Sequence, residues 1–144
     1  MARKHALLSA SSAARWIACP PSARLNAEKS DTPSAYAAQG TDAHMLCEYK
    51  LRKALGERVR DPTKHLTSYD TEMEECAEAY CQFVMEQVEQ FRAESKDTMV
   101  SVEQRVDFSD FVPDGFGTAD TLIISGKTVC IVDYKHGKGI EVSA

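Results

Sequence analysis

Apolar residues recur at steps of three and four along the first two thirds of the chain, a spacing typical of helices that pack by one face. It predicts four helical stretches: Ala13–Cys19, a turn after Pro21 through Leu25, a longer helix that begins near Ser34 or Thr41 and ends at Gly56, and a helix from Thr71 through Phe91. Thr71 and Glu74 match a capping box, which would make Thr71 the N-cap of the last helix. The predicted buried stripe of that helix comprises Met73, Cys76, Ala77, Tyr80, Phe83, Val84, Val88 and Phe91.

After Asp97 the spacing changes to two, which is typical of strands. Three strands are predicted, over Met99–Phe108, Thr118–Ser125 and Thr128–Lys135, with a tight hairpin turn at Gly126. The apolar run 129–132 predicts burial of the last strand on both faces. A strand of that kind needs a neighbour on each side, so the pattern favours a core that continues beyond residue 144.

These elements predict an α+β fold in which N-terminal helices pack on a three-stranded meander, with a further helix and strand missing. We expect one domain over residues 1–144, incomplete at its C-terminal end. Within it, residues 1–33 form an N-terminal helical segment, residues 34–96 a helical layer, and residues 97–144 the β-meander.

Composition narrows the class of protein only a little. Hydrophobic residues make up 43% and charged residues 27%, as in ordinary globular proteins, and no stretch has the length of a membrane span or a signal peptide. These features favour a cytoplasmic location for the protein. The net charge of −5 is unevenly spread: residues 1–60 hold ten Lys or Arg against five Asp or Glu, and residues 61–100 hold three against ten. A basic region can still attract a polyanion, so the net charge does not exclude a DNA partner.

The five cysteines are an odd number without a CxxC pair, which favours reduced thiols. Cys47, Cys76 and Cys130 occupy apolar periodic positions and are predicted to be small core residues.

Acidic residues stand at the facing ends of the last two predicted strands. Asp120 and Asp133 are nearly equidistant from the hairpin turn, so we expect them to lie close together across the ladder. Two like charges at such a position call for a divalent cation held by oxygen ligands. Lys135 leaves the same strand face as Asp133, and His44 could add a nitrogen ligand from the facing helix. A metal, two carboxylates and an ammonium group are suited to phosphodiester hydrolysis.

Each of these residues alone has a simpler explanation. Asp120 could cap a strand, Asp133 and Lys135 could form a surface ion pair, and His44 could be a hydrogen-bonded core histidine. A D-x-K triplet is common by chance, so only the combination at consistent spacing carries weight.

The ordered motifs resemble those of RecB-like nucleases in the PD-(D/E)xK superfamily, especially ones encoded by phages and prophages. Gly40 to His44 resembles their G-T-x-x-H helix motif, Gly117 to Asp120 their G-x-x-D strand, and Asp133 to Lys135 their D-Y-K strand. Residues 9–25, with Trp16 and Cys19-Pro20, resemble the opening segment of the same group. The resemblance implies a restriction-endonuclease-like fold.

The same resemblance implies roles for individual residues. Asp120 and Asp133 would hold Mg²⁺ or Mn²⁺ with His44 and the backbone carbonyl of Tyr134, and Lys135 would be the catalytic lysine together with these two carboxylates. Glu103 matches an acidic position sometimes found near the site. Some relatives bind a 4Fe–4S cluster through a Cys-Pro cysteine and three later ones. Cys19 would be the first of these ligands, but only in a longer chain, and in residues 1–144 it is predicted to be a buried thiol rather than a cluster ligand without partners.

The resulting functional hypothesis is a metal-dependent deoxyribonuclease, an exonuclease acting in phage recombination or repair. DNA would be the substrate, and a helicase or a strand-annealing protein a natural partner. A second hypothesis is a nucleic-acid-binding or assembly protein that keeps the fold without catalysis, and a third is a structural α+β domain with an accidental motif match. The helix bearing Q-x-x-x-Y that follows D-Y-K in the nucleases has no match here, so the activity of residues 1–144 alone stays open.

Overall fold

A computed structural model describes residues 6–27 and 35–137 of the chain, and it has the predicted α+β composition. The helices are α1 (Ala13–Ala18), α2 (Pro21–Ala27), α3 (Ala35–Ala54) and α4 (Thr71–Glu94), with short 3-10 turns at Ala10–Ser12 and Thr63–His65. The strands are β1 (Met99–Asp107), β2 (Phe116–Ser125) and β3 (Thr128–Val132), arranged in the order β1-β2-β3. Antiparallel pairing of β2 with β3 runs from Thr121↔Val132 to Ser125↔Thr128. Ser34 and residues 138–144 lie outside the described residues.

The chain divides into two compact units. One comprises Met1–Thr32 with Gln104–Ala119, and the other Pro33–Glu103 with Asp120–Ala144. In the first unit, the Trp16 indole donates to the Ser9 carbonyl at 2.9 Å, and Arg105 lies 3.7 Å from the centre of the Phe116 ring. The second unit contains α3, α4 and β3.

The end of α3 follows the prediction. Gly56 has φ +89°, and its N–H donates to the carbonyl of Lys53 at 3.1 Å while that of Glu57 donates to Arg52 at 2.9 Å. These two bonds form a Schellman motif, in which the residue after the helix adopts the left-handed conformation that glycine tolerates best. Gly56 therefore ends α3 for the expected reason.

The N-cap of α4 lies one residue before the predicted one. Asp70 is the N-cap, and its carboxylate accepts a hydrogen bond from the Met73 N–H at 2.7 Å. Thr71 is the first helical residue, so the predicted capping box at Thr71 and Glu74 is wrong. A carboxylate accepts well at this position because the helix dipole favours negative charge there.

The core of the second unit lies between α3, α4 and one face of the sheet. Its fully buried large side chains are Leu46, Leu51, Met73, Val84, Val88, Ile123 and Thr121. Two predictions for α4 are corrected: Phe83 is 50% exposed, whereas Cys81, which the predicted stripe omits, is buried. The buried stripe passes through Tyr80 and Cys81 to Val84, so Phe83 falls on its solvent side. Cys47 is buried as predicted, and Cys76 and Cys130 are partly buried against the core.

The last strand is buried on one face rather than two. Cys130 and Val132 pack against the core, whereas Val129 and Ile131 are each 60% exposed. The prediction of burial on both faces is wrong for the described part of the chain, because α3 and α4 cover a single face and β3 has β2 as its one neighbour there.

No helix within residues 6–27 and 35–137 is both long and apolar enough to cross a membrane.

Asp42, inside the G-T-x-x-H motif, is a buried structural residue. Its carboxylate accepts hydrogen bonds from the Ser68 N–H at 2.8 Å and the Thr67 hydroxyl at 3.0 Å, which ties α3 to the segment before α4. Burial alone would raise the pKa of Asp42, but the hydrogen bonds from Ser68 and Thr67 outweigh it, so the pKa lies below the ordinary 3.8.

We predict that Asp42→Ala lowers the free energy of unfolding by about 1–3 kcal/mol at pH 7, because it removes two hydrogen bonds to a buried carboxylate. Urea denaturation measures the change, with Asp61→Ala, at an exposed Asp61–Thr63 turn, as a control of much smaller effect. Since the folded pKa of Asp42 is lowered, its contribution is present above pH 3.8 and is lost as the pH falls through the folded pKa. The difference in unfolding free energy between the wild type and Asp42→Ala should therefore shrink in acid. A difference that stays constant would show that the charge of Asp42 does not cause it.

A buried hydrogen bond joins α4 to the middle strand: the hydroxyls of Tyr80 and Thr121 are 2.7 Å apart. We predict that Thr121→Val destabilises the protein by about 1–3 kcal/mol, because the Tyr80 hydroxyl loses its partner, and that adding Tyr80→Phe recovers most of the loss. Equilibrium unfolding of the two single variants and the double variant tests this. Strictly additive losses would show that the two hydroxyls do not act as a pair.

Candidate metal centre

Three metal-ligating side chains from three elements converge in the second unit. They are His44 of α3, Glu103 of β1 and Asp120 of β2, and one ligand atom from each lies within 4.8 Å of the others. His44 is held in place by its own helix, because the adjacent residue Ala43 and the nearby Cys47 are buried in the core. The rotation of α3 about its axis is therefore fixed by packing, and His44 faces the strands.

The contact between His44 and Asp120 is the centre of the cluster. The Nδ1 atom of His44 is 3.5 Å from Oδ1 of Asp120, and Oδ2 of Asp120 accepts a hydrogen bond of 2.6 Å from the backbone N–H of Tyr134. The hydrogen bond to Asp120 raises the pKa of His44. Burial alone would raise the pKa of Asp120, but His44 and the Tyr134 N–H lower it below its ordinary value. The Asp120 carboxylate is thus ionised and oriented from both sides.

Glu103 reaches the cluster because its backbone has an unusual conformation. Its φ is +52°, in the left-handed region, although it lies within β1. Burial, and then the nearby charge of Asp120, raises the pKa of the Glu103 carboxyl. The cluster therefore contains one carboxylate stabilised by donors and a second that a positive charge would stabilise.

The cluster lies in a cleft lined by His44, Cys47, Glu48, Tyr80, Val102, Glu103, Asp120 and Tyr134. The Tyr134 ring contacts the rings of His44 and Tyr80 edge-on, with centroid distances of 5.5 and 5.2 Å, and its hydroxyl is 3.0 Å from Nδ1 of His136. Burial raises the pKa of Cys47 to about 12, so this residue lines the cleft as a neutral thiol. The lining of the cleft thus combines aromatic and thiol groups with the charged side chains of the cluster.

Asp133 and Lys135 lie outside the three-residue cluster. They form an ion pair with each other, with side chains 50% and 57% exposed. The paired register ends at Thr121↔Val132, and beyond it Asp120 turns its carboxylate to the Tyr134 N–H rather than to the other strand's aspartate. Lys135 is still close enough for its charge to contribute to the lowered pKa of Asp120, after burial and the hydrogen bonds from His44 and Tyr134.

Of the residues that the sequence singled out, the structure brings together His44, Asp120 and Glu103. It does not bring Asp133 and Lys135 into that cluster. Tyr134 contributes its ring and its N–H, and the predicted role of its carbonyl as a ligand stays a prediction. Cys19 is an exposed free thiol at the end of α1, so the prediction that it is buried is wrong. Its role in an iron–sulfur cluster stays a prediction.

Glu48 was missed by the sequence reasoning. It lines the cleft from α3, four residues after His44, and an i,i+4 spacing on a helix places two side chains on one face. The four-residue spacing from His44 was the feature of the sequence from which Glu48 could have been found.

The donor set fits a hard divalent cation. Metal–oxygen distances of about 2.1 Å place neighbouring ligand atoms about 3 Å apart and opposite ones about 4 Å apart, which lies within the 4.8 Å span of the cluster. Two carboxylates suit Mg²⁺ or Mn²⁺, and an imidazole nitrogen favours Mn²⁺ of the two. Three protein ligands also leave coordination positions for water or substrate.

The fold and the cluster together define an α+β protein with a candidate site for a divalent metal. Residues 5–144 match the family described as "Protein of unknown function (DUF2800)", and the chain belongs to this family. No solved structure matches the chain. The family description names no activity, so the function has to be inferred from the site.

We predict that Mn²⁺ at about 100 times its dissociation constant raises the melting temperature by roughly 5–10 °C. Asp120→Asn should abolish this rise, because it removes the carboxylate at the centre of the cluster. Asp97→Asn, at an exposed aspartate outside the cluster, is the matched comparison and should keep the rise. An Mn²⁺ effect that survives Asp120→Asn would exclude this cluster as the binding site.

Proposed function

We propose that this protein is a metal-dependent deoxyribonuclease that holds Mn²⁺ or Mg²⁺ through His44, Glu103 and Asp120. The observation that carries the proposal is the convergence of these three side chains, from a helix and two strands, in one cleft. Structural ion pairs seldom gather two carboxylates at partial burial, because the like charges repel. A bound cation removes that repulsion.

The residues in and around the cluster would have different roles in phosphodiester hydrolysis. When bound, the metal supplies charge stabilisation and a more acidic water molecule. Asp120 stays ionised because the Tyr134 N–H and His44 donate to it, so it is a ligand at neutral pH. The exposed Lys135, on the same segment as Tyr134, carries the ammonium group that would orient water or stabilise negative charge on the phosphate.

The proposal that the protein is a RecB-like nuclease rests on the order of motifs along the chain. His44, Asp120 and the Asp133–Lys135 pair occur in the order found in RecB-like PD-(D/E)xK nucleases, and the proposed fold is accordingly restriction-endonuclease-like. Further expectations follow from that resemblance: exonuclease action at DNA ends in phage recombination or repair, a bacterial cytoplasm, and a helicase or strand-annealing partner. In that group Asp133 and the Tyr134 carbonyl also hold the metal, so both stay in the proposed ligand set.

A second candidate function is nucleic-acid binding without catalysis. The observation in its favour is the pairing of Lys135 with Asp133 rather than with the cluster. A lysine engaged in this way could contact a phosphate group without taking part in hydrolysis.

We predict that linear DNA is cleaved in the presence of Mn²⁺ and that Lys135→Ala lowers the rate about 10²–10⁴-fold, the usual effect of losing such a group. Residues 1–144 and the product of the complete reading frame in which they lie are assayed on single- and double-stranded linear DNA, with circular DNA to separate exonuclease from endonuclease action. Lys127→Ala, at an exposed lysine in the β2–β3 turn, is the matched control and should keep full activity.

The two candidate functions give different results in this assay. Cleavage that disappears with Lys135→Ala supports the nuclease. Unimpaired DNA binding by that variant, with no cleavage by any form in Mg²⁺ or Mn²⁺, refutes the nuclease and supports the binding function.

A further inference from the structure

Glu103 needs a structural explanation, because its backbone conformation is costly. A non-glycine residue in the left-handed region costs on the order of 1–2 kcal/mol. In a regular strand, side chains alternate between faces, so the burial of Val102 in the core would send the next side chain to the opposite face. The φ of +52° at Glu103 breaks this alternation and lets its carboxylate reach His44 and Asp120. A neighbouring group has to hold this conformation.

Arg52 of α3 makes the contact that can do so. Its Nη2 donates to the carbonyl oxygen of Val102 at 2.9 Å. That carbonyl belongs to the peptide group joining Val102 to Glu103, and rotation of this peptide group changes the φ of Glu103. A hydrogen bond that fixes the carbonyl therefore restricts the φ of the next residue.

The remaining donors of Arg52 hold the guanidinium in place. Its Nε donates to Glu48 at 2.8 Å and its Nη1 to Glu57 at 3.0 Å. The arginine side chain is 26% exposed. A planar guanidinium bound along several edges has little freedom to turn, which a lysine ammonium could not reproduce.

We propose that Arg52 is a positioning residue for the metal centre: by holding the Val102 carbonyl, it fixes the left-handed backbone of Glu103 and aims the Glu103 carboxylate at His44 and Asp120. Arg52 is not one of the cluster's ligands, so it acts through Glu103. The inference rests on the proposed metal site and deepens it by naming a residue that controls its affinity.

The test is the affinity of the full chain for Mn²⁺, measured by titration calorimetry and by the loss of the free Mn²⁺ signal in electron paramagnetic resonance. Arg52→Met should weaken binding about 10–100-fold, the range typical of residues that orient metal ligands. Arg52→Lys should also weaken Mn²⁺ binding, because one ammonium group cannot make the several directed hydrogen bonds of the guanidinium. It serves as the second variant if Arg52→Met does not fold. Arg58→Met, at an exposed arginine just beyond α3, is the matched control, and its affinity should equal that of the wild type.

A double-mutant cycle separates positioning from a general structural effect. If Arg52 acts through Glu103, then Arg52→Met has no further effect on Mn²⁺ affinity once Glu103→Gln has been introduced. An equal loss in both backgrounds overturns the proposal, because the arginine would then act by another route.

Failure of the inference can be told apart from failure of the metal site. Wild-type protein that binds Mn²⁺ through Asp120, together with an Arg52→Met variant that binds equally well, overturns only the role of Arg52. Wild-type protein that binds no Mn²⁺, or binding that Asp120→Asn leaves unchanged, overturns the metal site and this inference with it.

Discussion

The packing of α3 and α4 against one face of the sheet positions the whole candidate site. Leu46 and Leu51 of α3 are fully buried, as are Val84 of α4 and Ile123 of β2, so neither helix can rotate or slide without opening a cavity. The same packing holds His44 opposite the strands and places Arg52 two turns further along α3, beside β1. The site therefore depends on the core: α3 contributes His44 from a face whose orientation the buried apolar residues set.

Within the site, the two partly buried carboxylates of Asp120 and Glu103 repel each other. Asp120 is stabilised as an anion by the Tyr134 N–H and by His44, whereas Glu103 has no comparable donor among the contacts of the described residues, and burial raises its pKa. A proton on His44 and a divalent cation are alternative ways of balancing the same negative charge, because both interact with the Asp120 carboxylate. The geometry is thus suited to a cation, and Arg52 lies close enough to hold the strand that carries the second carboxylate.

The sequence predicts much of the local structure and less of the site. Helical spacing located α1 to α4, and Gly56 ended α3 as expected. Helical spacing and cap patterns failed where residues one or two positions apart could fill the same role. Asp70 rather than Thr71 caps α4, and Cys81 rather than Phe83 is buried. For the site, the motifs pointed to His44 and Asp120, and Glu103 was named only through a resemblance. The predicted proximity of Asp120 and Asp133 assumed a regular ladder, whereas the ladder ends one pair earlier, at Thr121↔Val132.

By itself, the sequence determined which segments are helices and strands, since apolar spacing and cap residues act within a few positions along the chain. It also determined the chemical types available: carboxylates, one histidine on α3 and a lysine after the last strand. Only the tertiary structure decided which of them meet. Glu103 joins the cluster because its backbone is left-handed and because Arg52, about fifty positions earlier, holds the peptide before it. Asp133 stays outside because the pairing of β3 with β2 has ended there. Both outcomes depend on contacts between distant segments, which no local pattern of residues encodes.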